Sequence, residues 1–265
     1  MTPSQFNSDS TREFTAHNIR LDDGTVTMPM QPELMTDHPW FRSARRALSA
    51  AFGDQLLGRS IVDLGCLEGG YTTEFARLGM NALGIEIRQL NFENCVYVRN
   101  RVNLKNLNFV RDDVWNLGKY GPFDAIFCCG ILYHLDRPRE FLRLAAESCR
   151  KIIILQTHFA TAEPITKFSL SPITAHEGLP GRWFGDYPVS TTRDALEKLK
   201  WCSWGNPFSY WIQKEYLIEE IKNNGFDMVF EQYDCLPTPI AESITTGYYK
   251  TDNRCMFVGI RSDIT

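Results

Sequence analysis

One glycine-rich turn, acids set behind it and two later histidines are the residues of this sequence whose types and spacing could carry chemistry. The turn reads Ile61-Val62-Asp63-Leu64-Gly65-Cys66-Leu67-Glu68-Gly69-Gly70. An apolar run enters it and a helical pattern leaves it. Gly65 allows a tight reversal at a strand end, and Gly69 and Gly70 let a ligand approach backbone amides. The helix N-terminus that follows favours a negative group such as a carboxylate. About 20 residues on, a second apolar run ends at Glu86, whose carboxylate can accept both hydroxyls of a ribose. A turn built for a diphosphate would read G-x-G-x-x-G, whereas this one reads G-x-L-x-G-G. Asp63, just ahead of it, suits a cationic ligand better than a diphosphate.

These residues need a frame. Short apolar runs predict strands over Ser60–Leu64, Asn81–Ile85, Leu107–Arg111, Phe123–Cys129 and Lys151–Gln156. Helical spacing predicts helices over Gly70–Leu78, Arg88–Arg101 and Pro138–Ser148 between them. This alternation implies βαβ units and a parallel sheet, and a strand such as Ile152-Ile153-Ile154-Leu155 suits a sheet covered on both faces. Ahead of the alternation, residues 1–35 read as a loose arm with one short strand and a turn at Asp22-Asp23-Gly24. Residues 38–53 read as an amphipathic helix carrying Trp40, Phe41, Ala44, Leu48 and Phe52. After residue 157 the rhythm breaks into an insertion rich in proline, glycine and aromatics. Helix resumes over Gln213–Asn223, and strands over Asp227–Gln232 and Cys255–Arg261 are joined by a long link from 235 to 253. The expectation is an α/β fold with a seven-stranded, mostly parallel sheet, helices on both faces, an N-terminal helical arm and a cap inserted after strand five. It divides into an arm and lid (1–57), a cofactor-binding core (58–156), a cap (157–211) and a completing segment (212–265).

Composition narrows the class. The chain has 265 residues, 43% of them hydrophobic and 23% charged, which suits one elaborated globular domain. A net charge of −4 without long charge runs argues against a nucleic-acid partner. Arg42, Arg45 and Arg46 are a small basic exception that also reads as a solvated helix face. No apolar run is long enough to span a bilayer, and the polar N-terminus lacks a signal core, so a cytoplasmic location is expected. The eight cysteines are scattered, without zinc spacing, and read as reduced thiols; no metal is expected. A homodimer is left open.

Taken in order, the motifs resemble those of class I S-adenosylmethionine-dependent methyltransferases, which have a Rossmann-like core. Asp63-Leu64-Gly65-Cys66 with Gly69 resembles their first motif, and Glu86, followed by Ile87, matches their ribose acid. Arg111-Asp112-Asp113-Val114 resembles the motif whose carboxylate meets the adenine amino group, with Asp113 preferred over Asp112. Asp124 through Cys129 and Gly130 resembles strand four, which passes the methionine part of the cofactor. The matches cover about residues 58–156. Leu67 stands at the family's usual central glycine, so either the turn is narrowed or Gly70 compensates. Gly130-Ile131-Leu132-Tyr133-His134-Leu135 with Pro138 is similar to the G-x-L-Y-H motif of the tRNA wobble-uridine carboxymethyltransferase group and its small-molecule relatives. The stretch His17-Asn18-Ile19 to Asp23-Gly24 is similar to the arm of those relatives. The resemblance implies S-adenosylmethionine as cofactor and methyl transfer to an oxygen, nitrogen or carbon of a small molecule, such as a natural product. A tRNA-modifying methyl- or carboxymethyltransferase and a cofactor-binding regulatory protein without turnover are the alternatives.

The acceptor side is read more openly. His134 follows strand four, where a neutral imidazole could take a proton from a hydroxyl or amine, or could brace a loop. Tyr133 could orient substrate or pack, and His158, after strand five, is open in the same way as His134. The insertion holds four of the six tryptophans and further aromatics, so it suits either a satellite core or a lid over an acceptor. His176, Trp183, Tyr187 and Trp204 are its candidate substrate contacts.

Overall fold

Strand residues alternate between two apolar layers, and this fixes which side of the sheet each helix covers. In β1 (Ser60–Leu64), Ile61 enters one layer and Val62 the other. In β4 (Phe123–Cys129), Phe127 and Ile126 divide likewise, as do Ile154 and Ile153 in β5 (Cys149–His158). The first layer is covered by α1 (Pro39–Phe52) and α2 (Gly70–Arg77) through Phe41, Leu48 and Phe75. The second is covered by α4 (Pro138–Glu147) and α6 (Lys214–Asn223) through Phe141, Leu217 and Ile221. The structure is a computed structural model, and it describes residues 12–163, 167–234, 240–247 and 253–262. The expectations for residues 1–11 and for Cys235 lie outside the described residues.

The sheet has seven strands. With β2 (Asn81–Glu86), β3 (Leu107–Arg111), β9 (Met228–Gln232) and β10 (Arg254–Ile260), the order is β3-β2-β1-β4-β5-β10-β9. β1 to β5 pair in parallel, and β10 runs antiparallel to both β5 and β9. The fold is the Rossmann-like, mostly parallel sheet that the alternation of motifs predicts. β1 and β4 are neighbours from which the chain winds in opposite directions, and ligands of such sheets bind beyond the carboxyl ends of the strands at that point.

Several boundaries differ from expectation for physical reasons. β5 runs from Cys149 to His158 rather than 151–156, because β10 pairs with it out to Arg254 opposite His158. α3 (Gln89–Arg99) is shorter at both ends than the helical spacing suggests. The arm has no strand among its described residues. A single bridge joins Arg20 to Val26 around the Asp22–Gly24 turn, where the Asp23 carboxylate accepts the Thr25 amide at 2.9 Å. The insertion forms its own antiparallel sheet, β6 (Thr174–His176), β7 (Leu179–Gly185) and β8 (Phe208–Ile212), with α5 (Arg193–Lys198) between β7 and β8. The expected link after β9 contains α7 (Ile240–Thr246).

Candidate functional site

The glycine turn is tied to the end of β2. The amides of Gly65 and Cys66 both donate to Ile85 O, at 2.9 and 3.0 Å, which folds the chain back at the carboxyl end of β1. Gly65 (φ 66°) and Gly69 (φ 80°) occupy the left-handed region that favours glycine, and Leu67 shares it at φ 53°. Two bonds hold Leu67 there. Its amide donates to Glu86 Oε2 at 2.9 Å, and its carbonyl accepts Cys95 Sγ at 3.2 Å. Glu86 Oε1 accepts the Arg88 amide at 2.8 Å, so the acid is fixed from two sides. Burial pushes its carboxyl above the usual value. Burial drives Asp63 further, to about 7, against the Thr72 hydroxyl that donates to it at 2.7 Å.

Asp63, Glu86 and Asp113 all line one cavity of about 720 Å³ at the carboxyl edge of the sheet. Gly65, Leu67, Ile87 and Val114 line it beside them, and Cys129 and Gly130 line it at the end of β4. Asp113 also accepts the Trp115 amide at 3.1 Å. Asp112 faces elsewhere: Tyr120 Oη donates to it at 2.6 Å and Asn116 at 2.7 Å, and these bonds hold its carboxyl below the usual range. Cys66 and Gly69 support the turn from behind. Cys66 Sγ is buried 3.8 Å from Cys95 Sγ, and a Cβ on Gly69 would stand 2.7 Å from the Phe109 ring.

His134, Tyr133 and Trp204 line the same cavity, whereas His158, His176, Trp183 and Tyr187 do not. His158 stacks on Trp211 at 4.9 Å, bonds Asn253 at 3.1 Å and meets Tyr133 edge-on at 4.8 Å. Burial lowers it to about 3, so it is neutral and buttresses Tyr133. His176 bonds Asp136 O at 2.8 Å and packs with Trp183 and Tyr210, which makes that trio part of the cap's own core. Tyr187 is half-buried outside the cavity, and burial raises its hydroxyl. The insertion divides its aromatics between its own packing and the cavity. Trp183 and Trp211 pack it, and Trp201 and Trp204 face the cavity.

Arm and cap roof the cavity. Glu68 in the turn is fully buried and accepts the amides of Thr15, Ala16 and His17 at 2.9–3.1 Å and Lys200 Nζ at 3.0 Å. Burial opposes its charge, but these donors outweigh burial and hold its carboxyl below the usual range. His17 Nδ1 accepts the Gly70 amide at 2.9 Å, and burial lowers the imidazole to about 4. Arg88 reaches the cap carbonyls of Leu196, Leu199 and Cys202 at 3.2, 3.0 and 2.7 Å. One wall carries Arg254, at the start of β10. It donates to Gln156 at 2.9 Å and lies 4.4 Å over the Trp40 ring. Its Nε is buried without a partner, and among the described residues no carboxylate pairs with it.

The model of the Methyltransferase domain family matches residues 37–231. The chain belongs to the methyltransferase domain family. It is 27% identical over 152 residues to a tRNA U34 carboxymethyltransferase of Alteromonas mediterranea, covering 54% of this chain and 41% of that one. It is 21% identical over 223 residues to the tRNA U34 carboxymethyltransferase of Campylobacter lari, covering 76% and 73%. The chain thus spans about two fifths of one curated relative and about three quarters of the other. Among solved structures, the N-terminal domain of EvdMO1 in the presence of SAH and D-fucose aligns with a TM-score of 0.62 at 22% identity, covering 85% of this chain and 84% of that one.

In this chain several residues in and around the cavity carry weak sequence signals. Arg254 stands out only as a charge opening an otherwise apolar strand, and Arg88 reads as an ordinary helix start. Glu68, His17 and Lys200 are joined by the fold across more than 50 residues each. Asp186 bonds His134 at 2.7 Å and comes from the cap, for which the sequence gives no register. Among the described residues no His, Cys, Asp or Glu group is placed to hold a metal, and no helix is long and apolar enough to cross a membrane.

Proposed function

We propose that this chain transfers a methyl group from S-adenosylmethionine to an oxygen, nitrogen or carbon of a small molecule, with His134 as the group that receives the acceptor's proton. The observation that carries this reading is the convergence of Asp63, Glu86 and Asp113 with His134 on one cavity of about 720 Å³, roofed by arm and cap. The three acids fit the cofactor's chemistry. Asp63, buried with no cation bonded to it among the described residues, would hold the ammonium. Glu86 has lone pairs beyond its two amide bonds for the ribose hydroxyls, and Asp113 would accept the adenine amine. Gly65, Leu67, Ile87, Val114, Cys129 and Gly130 would shape its bed, with Cys66, Gly69 and Asp112 supporting them from behind. When bound, the cofactor supplies a methyl group already activated on a sulfonium. The protein's own work is then to orient the acceptor, exclude water and take up a proton. Trp204 and Tyr133 are proposed to border the acceptor, while His158, His176, Trp183 and Tyr187 stabilise the walls. A cavity closed on two sides suits a small acceptor.

Calorimetry with S-adenosylhomocysteine tests the cofactor half: saturable binding is expected, and no heat at millimolar ligand would overturn it. Transfer of labelled methyl to a panel of hydroxyl- and amine-bearing metabolites tests the acceptor half. Within it, His134→Ala should lower turnover about a hundredfold or more, and unchanged turnover would remove the base role.

A second reading, transfer of a carboxymethyl group, is favoured by Arg254. A guanidinium on the cavity wall with a free Nε and no paired carboxylate among the described residues is suited to a carboxylate carried on the transferred group. Comparing the binding of the methyl cofactor with its carboxylated form, in wild type and Arg254→Met, separates the two readings. A preference for the carboxylated form that disappears in Arg254→Met would select the second.

A further inference from the structure

We propose that Asp186, contributed by the cap, is the positioning residue that sets the tautomer of His134 and leaves Nε2 as the nitrogen that takes the acceptor's proton. This rests on the reading of His134 as base. The Asp186 carboxylate has 1% side-chain exposure and lies 2.7 Å from His134 Nδ1. A carboxylate has no hydrogen to give, so the Nδ1 of His134 must carry it. His134 lines the cavity, and with Nδ1 committed, Nε2 is the ring nitrogen left for a ligand.

Asp186 is itself held for this task. It directly follows β7, and its amide donates to Pro207 O at 2.9 Å, across the β7–β8 pair. Its Oδ2 accepts the Ser209 hydroxyl, and its Oδ1 also accepts the Ser203 amide at 3.3 Å. Its other donors, the Ser209 hydroxyl and the Ser203 amide, carry no charge, and among the described residues no lysine or arginine is ion-paired with Asp186. The carboxylate's buried charge is therefore spent on the imidazole. The Tyr133 ring packs 4.2 Å from that of His134, neutral His158 meets Tyr133 at 4.8 Å, and the Arg254 guanidinium lies 5.4 Å from the Tyr133 ring. In the transfer step the acceptor's proton passes to Nε2 and the bonding pair stays on the acceptor atom. The imidazolium so formed sits against Asp186, whose charge is already oriented toward it. The cap thereby completes the proton-accepting pair, and a cap displaced from the site leaves His134 unoriented.

The test is the nitrogen NMR spectrum of the ¹⁵N-labelled protein, in which the five histidines are distinguished by single substitutions such as His134→Gln. The wild type should show His134 with the proton on Nδ1 and a bare Nε2. Asp186→Asn should shift population to the Nε2–H form and lower kcat at least about tenfold, with KM for S-adenosylmethionine within about twofold. Asp186→Glu should restore the Nδ1–H form and part of kcat. An Nε2–H tautomer in the wild type overturns the proposal even if Asp186→Asn does not fold, as does an unaltered tautomer in a folded Asp186→Asn. The base reading fails separately, if His134→Ala turns over at the wild-type rate while the tautomer result stands.

Discussion

If Asp63 holds the ligand's ammonium as proposed, its burial makes cofactor binding depend on pH. With 2% of its surface exposed and Thr72 donating to its side chain, its carboxyl titrates at about 7. A ligand ammonium at this position needs the ionised form. The fraction ionised falls from about one half at pH 7 to about one hundredth at pH 5, so the apparent Kd should rise about 50-fold, or about 2.3 kcal/mol. The ligand's own α-amino group, with a pKa of about 8, stays charged across that window and adds nothing. Calorimetry with S-adenosylhomocysteine at pH 5, 6 and 7 reads this directly. Asp63→Asn, which keeps a partner for Thr72, should bind more weakly at pH 7 and lose the slope. The sign for stability is opposite. The folded carboxyl titrates above its unfolded value of 3.8, so the ligand-free fold gains from this group below pH 4 and loses that gain as pH rises through 7. The total is on the order of 4 kcal/mol. A Kd that is flat between pH 7 and 5, or an equal slope in Asp63→Asn, would refute the assignment of the ammonium to this acid.

Three further outcomes follow from the geometry. Leu67→Gly removes about 1–2 kcal/mol of left-handed backbone strain but costs about 0.5–1 kcal/mol through the freer unfolded chain, so denaturant unfolding should show a gain of at most about 1.5 kcal/mol; a loss above about 2 kcal/mol would show that the side chain, not the backbone, holds the turn. Glu68→Gln leaves five donors facing a weaker acceptor, and hydrogen exchange should rise together at 15–17 and around Lys200; a rise in one segment alone contradicts the shared anchor. Phe127→Ala opens a void between Phe75 and Tyr71 and should cost about 3–5 kcal/mol in urea unfolding, whereas a cost below about 1 kcal/mol would mean that the first apolar layer collapses around it.

The core was legible because its signals are local. Ser60–Leu64, Leu107–Arg111 and Phe123–Cys129 are apolar runs bounded by turn residues, and the strands occupy those ranges. The positions of Asp63, Glu86 and Asp113 follow from lying at strand ends, where the sheet fixes the backbone. The cap was legible as an interruption and not as a structure. Its sheet joins Thr174–His176 to Phe208–Ile212 through β7, and two-residue alternation is hidden there because Leu179-Pro180-Gly181-Arg182 mixes turn residues into a strand. The same limit concealed Asp186. A carboxylate after a glycine reads as a turn residue until the β7–β8 pairing brings it beneath His134. His158 lies off the cavity for the converse reason: it sits at a strand end as ligand-binding residues do, but Trp211 from the cap covers one face of its ring.

Two halves of the site thus draw on different kinds of information, and the structure links them through a few charged residues. The proposed cofactor half is built from strand ends within 70 residues of one another, while the proposed acceptor half joins Tyr133 and His134 after β4 to residues of the arm, the cap and the last strand. Glu68 belongs to the glycine turn, yet its bonds reach the arm and Lys200. Arg88 follows Glu86 by two residues, yet its guanidinium holds the cap carbonyls. Any movement of the turn or of Glu86 is therefore felt by the roof, and any movement of the roof is felt by the turn. Such coupling is reciprocal: if cofactor binding favours the closed roof, closing the roof on an acceptor must tighten the cofactor by the same factor. Because Asp186 rides on the same roof, closure would orient His134 in the same motion that secures the cofactor bed.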